Sequence, residues 1–248
     1  MRNIRLTIEY DGTRFMGWQA QANTKKLKTV QEEIEKAACK LFGKAIRLKG
    51  AGRTDSGVHA EAQTANFKID SRLPLRNIQK GLNSCLPSDI VIISAEDMPL
   101  DFHSRFDAKE KLYRYTIVNR DTRSPLLRRR AAMCFYVLDI GAMKKAAAYL
   151  IGKKDFKSFQ ATDEKDRRSV RHIKRLDIVR KKSSVIEIYI QADGFLYNMV
   201  RNIVGTLIDV GRGRTNPDAV KDILKKRHRP AAGQTAPAKG LCLVRVFY

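Results

Sequence analysis

Gly50-Ala51-Gly52-Arg53-Thr54-Asp55-Ser56-Gly57-Val58-His59-Ala60 sits at the middle of the pattern on which the fold hinges. Its glycines permit tight turns and positive φ, so it reads as a shaped loop between two strands. The strand before it is expected over Ala45–Leu48 and the strand after it over Gln63–Phe67. Working back from the loop, Thr29-Val30-Gln31-Glu32 forms a capping box, and Val30, Ile34, Ala38 and Leu41 make one helical stripe that Gly43 ends. Before that, Ile4, Leu6, Ile8 and Tyr10 alternate with polar residues, as in a half-buried strand. Working forward, a helix is expected from Pro74 with Leu75, Ile78, Leu82 and Cys85 inward, then a buried strand at Asp89–Ile93. The order strand, helix, strand, strand, helix, strand is the split βαβ pattern.

A similar order begins again after residue 100. Tyr113, Tyr115 and Ile117 alternate in a strand, and Ala132–Val137 suits another. Between them Asp121–Arg130 reads as an exposed basic loop. Asp139 caps a helix with Met143, Ala147 and Leu150 inward, closed by Gly152. Two hairpin-linked strands follow around Ile173–Val179 and Val185–Ala192, joined through Lys181-Lys182-Ser183-Ser184. Then come a long helix over Phe195–Val210, a short helix opened by Asn216-Pro217, an Ala/Gly/Pro-rich loop, and a closing strand at Leu241–Phe247. The fold class is therefore α/β (α+β): two ferredoxin-like, RRM-like halves with mainly antiparallel sheets flanking a central cleft, a common place for a site. The division expected is an N-terminal domain over 1–105 carrying the Asp55 loop and a C-terminal domain over 106–248.

Forty-nine Lys and Arg against 26 Asp and Glu give a formal charge of +23, which favours a polyanionic partner such as nucleic acid. A membrane reading is disfavoured, because no apolar run reaches the roughly 20 residues of a spanning helix. The alternating N-terminus also lacks the continuous apolar core of a signal peptide, so a soluble, cytoplasmic protein is expected. Cys39, Cys85, Cys134 and Cys242 are too dispersed for a zinc cluster and fit reduced core thiols. The histidines are equally scattered, so no metal is implied.

Chemistry, if present, falls to Asp, Glu, Lys or Tyr. Asp55 is the best-placed carboxylate, with Arg53 two residues away to favour its ionised, nucleophilic form. An Asp that bonds its own backbone to steady the turn explains the residue as well. Thr13–Gln19, with Arg14 between aromatic residues, suits either base stacking or buried anchoring. Tyr113 on its strand reads first as a core aromatic.

Gly50–Ala60 resembles the signature loop of the tRNA pseudouridine synthase A family. Four further blocks are similar to that family in the expected order: Tyr10-Asp11-Gly12 with Phe15 and Gly17-Trp18-Gln19; Lys111–Tyr115; Gly194–Asn202; and Arg229-Pro230-Ala231-Ala232 through Ala236–Leu241. The resemblance implies a cofactor-free isomerase that converts uridine to pseudouridine in the anticodon stem-loop of tRNA, at positions 38, 39 and 40. On it, Asp55 takes the place of the nucleophile and Tyr113 that of the tyrosine against the target base. Arg53 and Arg201 take those of the cleft arginines, with Arg201 pairing with Asp55. A homodimer is implied as well. Arg14, Lys109, Lys111, Arg167, Arg168, Arg171, Lys174 and the Arg128-Arg129-Arg130 run become candidates for the tRNA path. The rival readings are a non-catalytic RNA-binding or assembly protein with tandem ferredoxin-like sheets, and a metal-dependent nuclease. The first leaves the Arg-x-Asp pair unexplained, and the second lacks carboxylates clustered near Asp55.

Overall fold

The computed structural model describes residues 1–19, 28–161, 168–182 and 184–248. The chain divides into two compact units, residues 1–109 with 242–248, and residues 110–241.

In the first unit the chain runs β1 (Arg2–Tyr10), α1 (Val30–Phe42), β2 (Lys49–Gly50), β3 (His59–Ile69), α2 (Leu75–Cys85) and β4 (Ile90–Met98). β1 lies antiparallel between β3 and β4, and β2 pairs antiparallel with β3. The order β4-β1-β3-β2 is that of a split βαβ sheet. Ile4, Leu6 and Ile8 of β1, Ile34 of α1 and Ile78 and Leu82 of α2 are all fully buried. α1 starts and stops as its sequence predicts, with a reciprocal Thr29–Glu32 capping box and Gly43 left-handed at the C-cap.

Three expectations change here. The strand expected at Ala45–Leu48 does not form, and a two-residue strand follows it at Lys49–Gly50: the Leu48 N–H donates to the Glu35 carboxylate (2.9 Å) and the Leu48 carbonyl accepts from Gln31 (3.2 Å). Two α1 side chains thus take the groups a strand ladder would have used. β4 is buried on one face only: Ile90 and Ile92 are covered, while Val91 and Ile93 are 36% and 47% exposed, as its edge position in the sheet allows. Cys39 and Cys85 lie on helices, but on their exposed sides, and are not core thiols.

The second unit contains β5 (Glu110–Asn119), β6 (Ala132–Cys134), α3 (Ile140–Ala148), β7 (Gly152–Asp155), β8 (Val170–Arg180), β9 (Val185–Ala192), α4 (Met199–Gly211) and α5 (Ala219–Lys226). β9 runs antiparallel between β5 and β8, and β7 pairs with β8. This repeats the split arrangement, with β5 and β8 joined through α3 and separated by β9. β6 is a short parallel partner of β5. It stops before Val137 because Asn119 donates to the carbonyls of Cys134 and Tyr136 (3.1 and 2.6 Å), ending the ladder. α3 ends at Ala148, and Gly152 opens β7, a strand whose Gly-Lys-Lys-Asp sequence has no strand signature. α4 begins at Met199, four residues later than Phe195, because Asn198 is left-handed with φ 60°. Part of the β8–β9 hairpin expectation, Ser183, lies outside the described residues. The chain then returns to the first unit as β10 (Leu241–Phe247), parallel to β3 through Cys242 opposite His59 and Leu243 opposite Ala60.

The architecture is mixed α+β with mainly antiparallel strands. Among the described residues no helix is long and apolar enough to cross a membrane.

Candidate active site

The Asp55 loop is held from two sides. On the β3 side, the Ala51 N–H donates to the Thr64 carbonyl (2.8 Å), and buried Gln63 donates to the Gly52 carbonyl (3.0 Å). On the other side, the segment after β1 closes over the loop. Trp18 N–H donates to the Thr54 carbonyl (3.1 Å), and Ser56 Oγ and the Gly57 N–H both donate to the Phe15 carbonyl (3.2 and 3.3 Å). Buried Tyr10 shares a hydrogen bond with Thr54 Oγ1 at 2.7 Å, and burial holds its phenol well above the usual tyrosine range. Gly17 is required at this closure: its φ is +80°, and a Cβ there would stand 2.3 Å from the Thr54 carbonyl oxygen.

Phe15 and Trp18 are therefore core residues that clamp the loop, which decides their role in favour of anchoring. Asp55 itself is half-buried, and its carbonyl accepts from the Val58 N–H (3.1 Å) to close a turn. The backbone of the loop is fixed by these bonds before the Asp55 carboxylate is counted. Arg53 is exposed and donates through Nε to Gln19.

In the second unit, Tyr113 is buried on β5 with its ring edge-on to Phe195, centroids 5.1 Å apart. Arg201 stands on the first turn of α4. Its Nε donates to the Ala236 carbonyl (2.8 Å) and a terminal nitrogen donates to Asn198 Oδ1 (3.0 Å), so the Asn198–Arg201 pair does share a face. The Ala236 N–H returns a bond to the Arg201 carbonyl (3.1 Å).

The loop over 229–240 that supplies Ala236 is itself tied to α4 by side chains whose role the sequence did not reveal. Buried Asn202 donates to the Phe159 carbonyl (2.7 Å) and accepts from Arg229 (2.9 Å) and from Thr235 Oγ1 (2.7 Å). Thr206 Oγ1 accepts from the Gly233 N–H (2.9 Å). Burial lowers the Arg229 guanidinium from its ordinary value. Gly205 lets the loop touch the helix, since a Cβ there would fall 1.7 Å from the Gln234 carbonyl oxygen. Tyr115, buried, donates to the Pro237 carbonyl (2.8 Å), and its burial pushes the phenol up against the opposing effect of Arg201. The advance signals for this network were that Asn202, Arg229 and Ala236 lie in blocks resembling a family and that polar Asn202 and Thr206 stand among the apolar residues of α4.

Of the basic residues considered for a nucleic-acid path, Arg14 is exposed and paired with Asp89, and Lys109 is exposed. Lys111 and Arg171 are half-exposed, and Arg168 is exposed; Arg171 donates to the carbonyls of Arg168 and Val170 (2.6 and 2.8 Å). Arg128, Arg129 and Arg130 are exposed, and Lys174 pairs with Glu110. Arg167 lies outside the described residues.

A family model described as tRNA pseudouridine synthase matches residues 6–107 and 146–248. Asp55, Arg53 and Arg201 fall inside the matched segments, and Tyr113 lies between them. The chain is 46% identical to the tRNA pseudouridine synthase A of Clostridium acetobutylicum and 47% identical to that of a Thermoanaerobacter species, each over 248 residues and the whole of both chains. It is likewise 46% identical, over the whole of both chains, to tRNA pseudouridine synthase A 2 of Clostridium perfringens. With full-length relatives and a matching model that holds the loop, its clamp and the Arg201 module, this chain belongs to the tRNA pseudouridine synthase family.

Proposed function

We propose that the protein isomerises uridine to pseudouridine in the anticodon stem-loop of tRNA, at positions 38, 39 and 40, with Asp55 as the nucleophile. The observation that carries this reading is the Asp55 loop, whose backbone is fixed on two sides in a chain similar over its whole length to tRNA pseudouridine synthases. A non-catalytic RNA-binding role gives no reason for that similarity.

The reaction breaks the N1–C1′ bond, turns the uracil while it is held, and forms a C5–C1′ bond. N1 gains a proton and C5 loses one, so the product is an isomer and no redox partner is consumed. Asp55 serves as a carboxylate by attacking C1′, by adding to C6, or by assisting loss of the ribose 2′-hydrogen on a glycal route. Each route needs the ionised form, which the guanidinium of Arg201 favours by pairing with it. Support for Arg201 in that role comes from its own setting: with Nε committed to Ala236 and one terminal nitrogen to Asn198, the orientation of the charged group is set in advance. Arg53 adds positive charge beside the loop.

The target base is stacked in a stem and must be flipped out, at a cost of a few kcal/mol. Tyr113 offsets part of that by packing against the base, worth about 1–3 kcal/mol. Tyr113 or Asp55 is the base that takes the C5 proton. Arg14, Lys109, Lys111, Arg167, Arg168 and Arg171 contribute phosphate contacts. The same reading carries a cytoplasmic homodimer, on the strength of the family resemblance.

Incubation with tRNA tritiated at uracil C5 tests it. The wild type releases tritium and Asp55→Asn does not. A wild type that binds the tRNA and releases none would overturn the proposal.

A further inference from the structure

One turn of the first unit is built with unusual investment in buried polar groups. Asn3, Asn66 and Ser104 are all buried and joined: Asn66 Nδ2 donates to Asn3 Oδ1 (2.8 Å), and Ser104 donates to Asn66 Oδ1 through both its N–H and its hydroxyl (3.0 and 2.9 Å). Asn3 Nδ2 donates to the carbonyls of Pro99 and Phe102 (each 2.9 Å), and Tyr248 donates to the Ser104 carbonyl (2.9 Å). Below the turn, Phe102 packs on Tyr248, centroids 5.1 Å apart. A satisfied buried network of this kind fixes one backbone shape.

What the network presents outward is aromatic and basic. Phe106 is 75% exposed, yet it is held in place, with the His103 ring 4.3 Å away and the Arg105 guanidinium 5.9 Å from its centroid. The imidazole is fixed in turn, since His103 Nδ1 accepts from the Arg105 N–H (3.1 Å). The N–H groups of Phe106 and Asp107 both donate to the His103 carbonyl (3.1 Å), and Asp107 spends a carboxylate oxygen on the His103 N–H (2.9 Å). An apolar ring left in water on a rigid turn, with a guanidinium and an imidazole beside it, matches how proteins hold single-stranded nucleotides. The base stacks on the aromatic face and the cation meets the phosphate.

We propose that Phe106, flanked by Arg105 and His103, is a stacking platform for an unpaired base of the RNA substrate, outside the nucleotide that reacts. The proposal rests on the tRNA reading above, and the platform adds affinity and placement without entering the chemistry. The partner is a single-stranded RNA segment. Along its length a regular duplex offers no free base face.

Phe106→Trp turns the platform into its own reporter, because the chain has a single tryptophan, Trp18, which is 2% exposed. Titration with a hairpin RNA carrying an unpaired loop is expected to quench the new emission saturably, and a duplex of equal length whose two ends are closed by non-nucleotide linkers is expected to leave it unchanged. Phe106→Ala is expected to raise the Kd for tRNA about 5- to 150-fold with an unchanged salt slope, and Phe106→Trp to stay within about threefold of wild type. Arg105→Ala is expected to flatten the salt slope by about one phosphate's worth. No quenching at RNA concentrations that saturate tritium release, or equal quenching by the duplex, would overturn the platform while leaving the isomerase reading intact. So would a Phe106→Ala variant whose only change is a new sedimentation coefficient of the free protein, which would mark a protein-docking surface. Loss of tritium release from the wild type would instead strike the underlying function.

Discussion

The Asp55 loop and the Arg201 turn are both held rigidly, but by different means. Around Asp55 the work is done mostly by backbone: carbonyls of Thr54 and Phe15 meet N–H groups of Trp18 and Gly57, and the buried rings of Phe15 and Trp18 keep the two segments together. Around Arg201 it is done by side chains: Asn202, Thr206, Arg229 and Thr235 tie the 229–240 loop to α4, and that loop then supplies the Ala236 carbonyl to Arg201. A backbone clamp tolerates side-chain changes but not a change of backbone shape. A side-chain network loses several bonds when a single residue is cut back. The two regions should therefore fail under different substitutions.

The largest effect is expected at the carboxylate itself. Asp55→Asn should lower turnover by roughly 10³-fold or more while tRNA affinity and melting temperature stay near wild type. Single-turnover tritium release together with thermal denaturation checks both halves of that statement. Gly17→Ala and Gly205→Ala come next. The first places a Cβ 2.3 Å from the Thr54 oxygen at a φ of +80°, the second 1.7 Å from the Gln234 oxygen, with backbone on the far side in each case. Each should cost about 2–4 kcal/mol of stability by urea unfolding. Their comparison is sharper than either alone. If the clamps are local, Gly17→Ala disturbs the amides of Thr54 to Val58 in hydrogen exchange and leaves α4 unchanged, and Gly205→Ala does the reverse.

The same contrast explains what could be read from sequence. The βαββαβ order of the first unit was legible because Ile4, Leu6 and Ile8 alternate and because Thr29 and Glu32 announce a helix start within four residues. Local pattern was enough where local forces decide. It was not enough where a distant side chain intervened, as when Glu35 took the Leu48 N–H and the strand expected at Ala45–Leu48 did not form. β7 escaped notice because a strand can be recruited by its neighbour: Gly152–Asp155 pairs with β8 without any alternation of its own. Asn198 gave no warning that its left-handed backbone would delay α4 to Met199. At the candidate site, Asp55 and Arg201 were visible as parts of blocks resembling a family. The groups that hold them, Phe15 and Trp18 on one side and Asn202 and Arg229 on the other, depend on tertiary approach and could be assigned only from the structure.

Asn202 offers a gentler way to break the side-chain clamp. Asn202→Ala leaves the Phe159 carbonyl, Arg229 and Thr235 each short of a partner, so a loss of about 2–3 kcal/mol is expected. If the network positions Arg201, kcat should fall more than KM rises, and the Nε resonance of Arg201 should shift. Purely structural damage would lower stability and leave that resonance and the kcat of the folded fraction unchanged.

The smallest effect separates the regions through two tyrosines with matching tasks. Tyr10 bonds Thr54 in the loop, and Tyr115 bonds the Pro237 carbonyl. Burial raises both phenols above the value of about 10 that they have in an unfolded chain. A raised folded-state value means that the unfolded chain releases these protons first as pH climbs. The contribution of these two phenols to stability is therefore constant below about pH 10 and declines above it, until the folded phenols also ionise. Tyr10→Phe and Tyr115→Phe should each cost about 1 kcal/mol at neutral pH, from one lost hydrogen bond, and each should flatten the decline above about pH 10. The double variant should flatten it additively if the clamps are independent, as their separate construction suggests. Urea unfolding at a series of pH values measures the slope, and an unchanged slope in Tyr115→Phe would show that its phenol is not buried in solution as it is here.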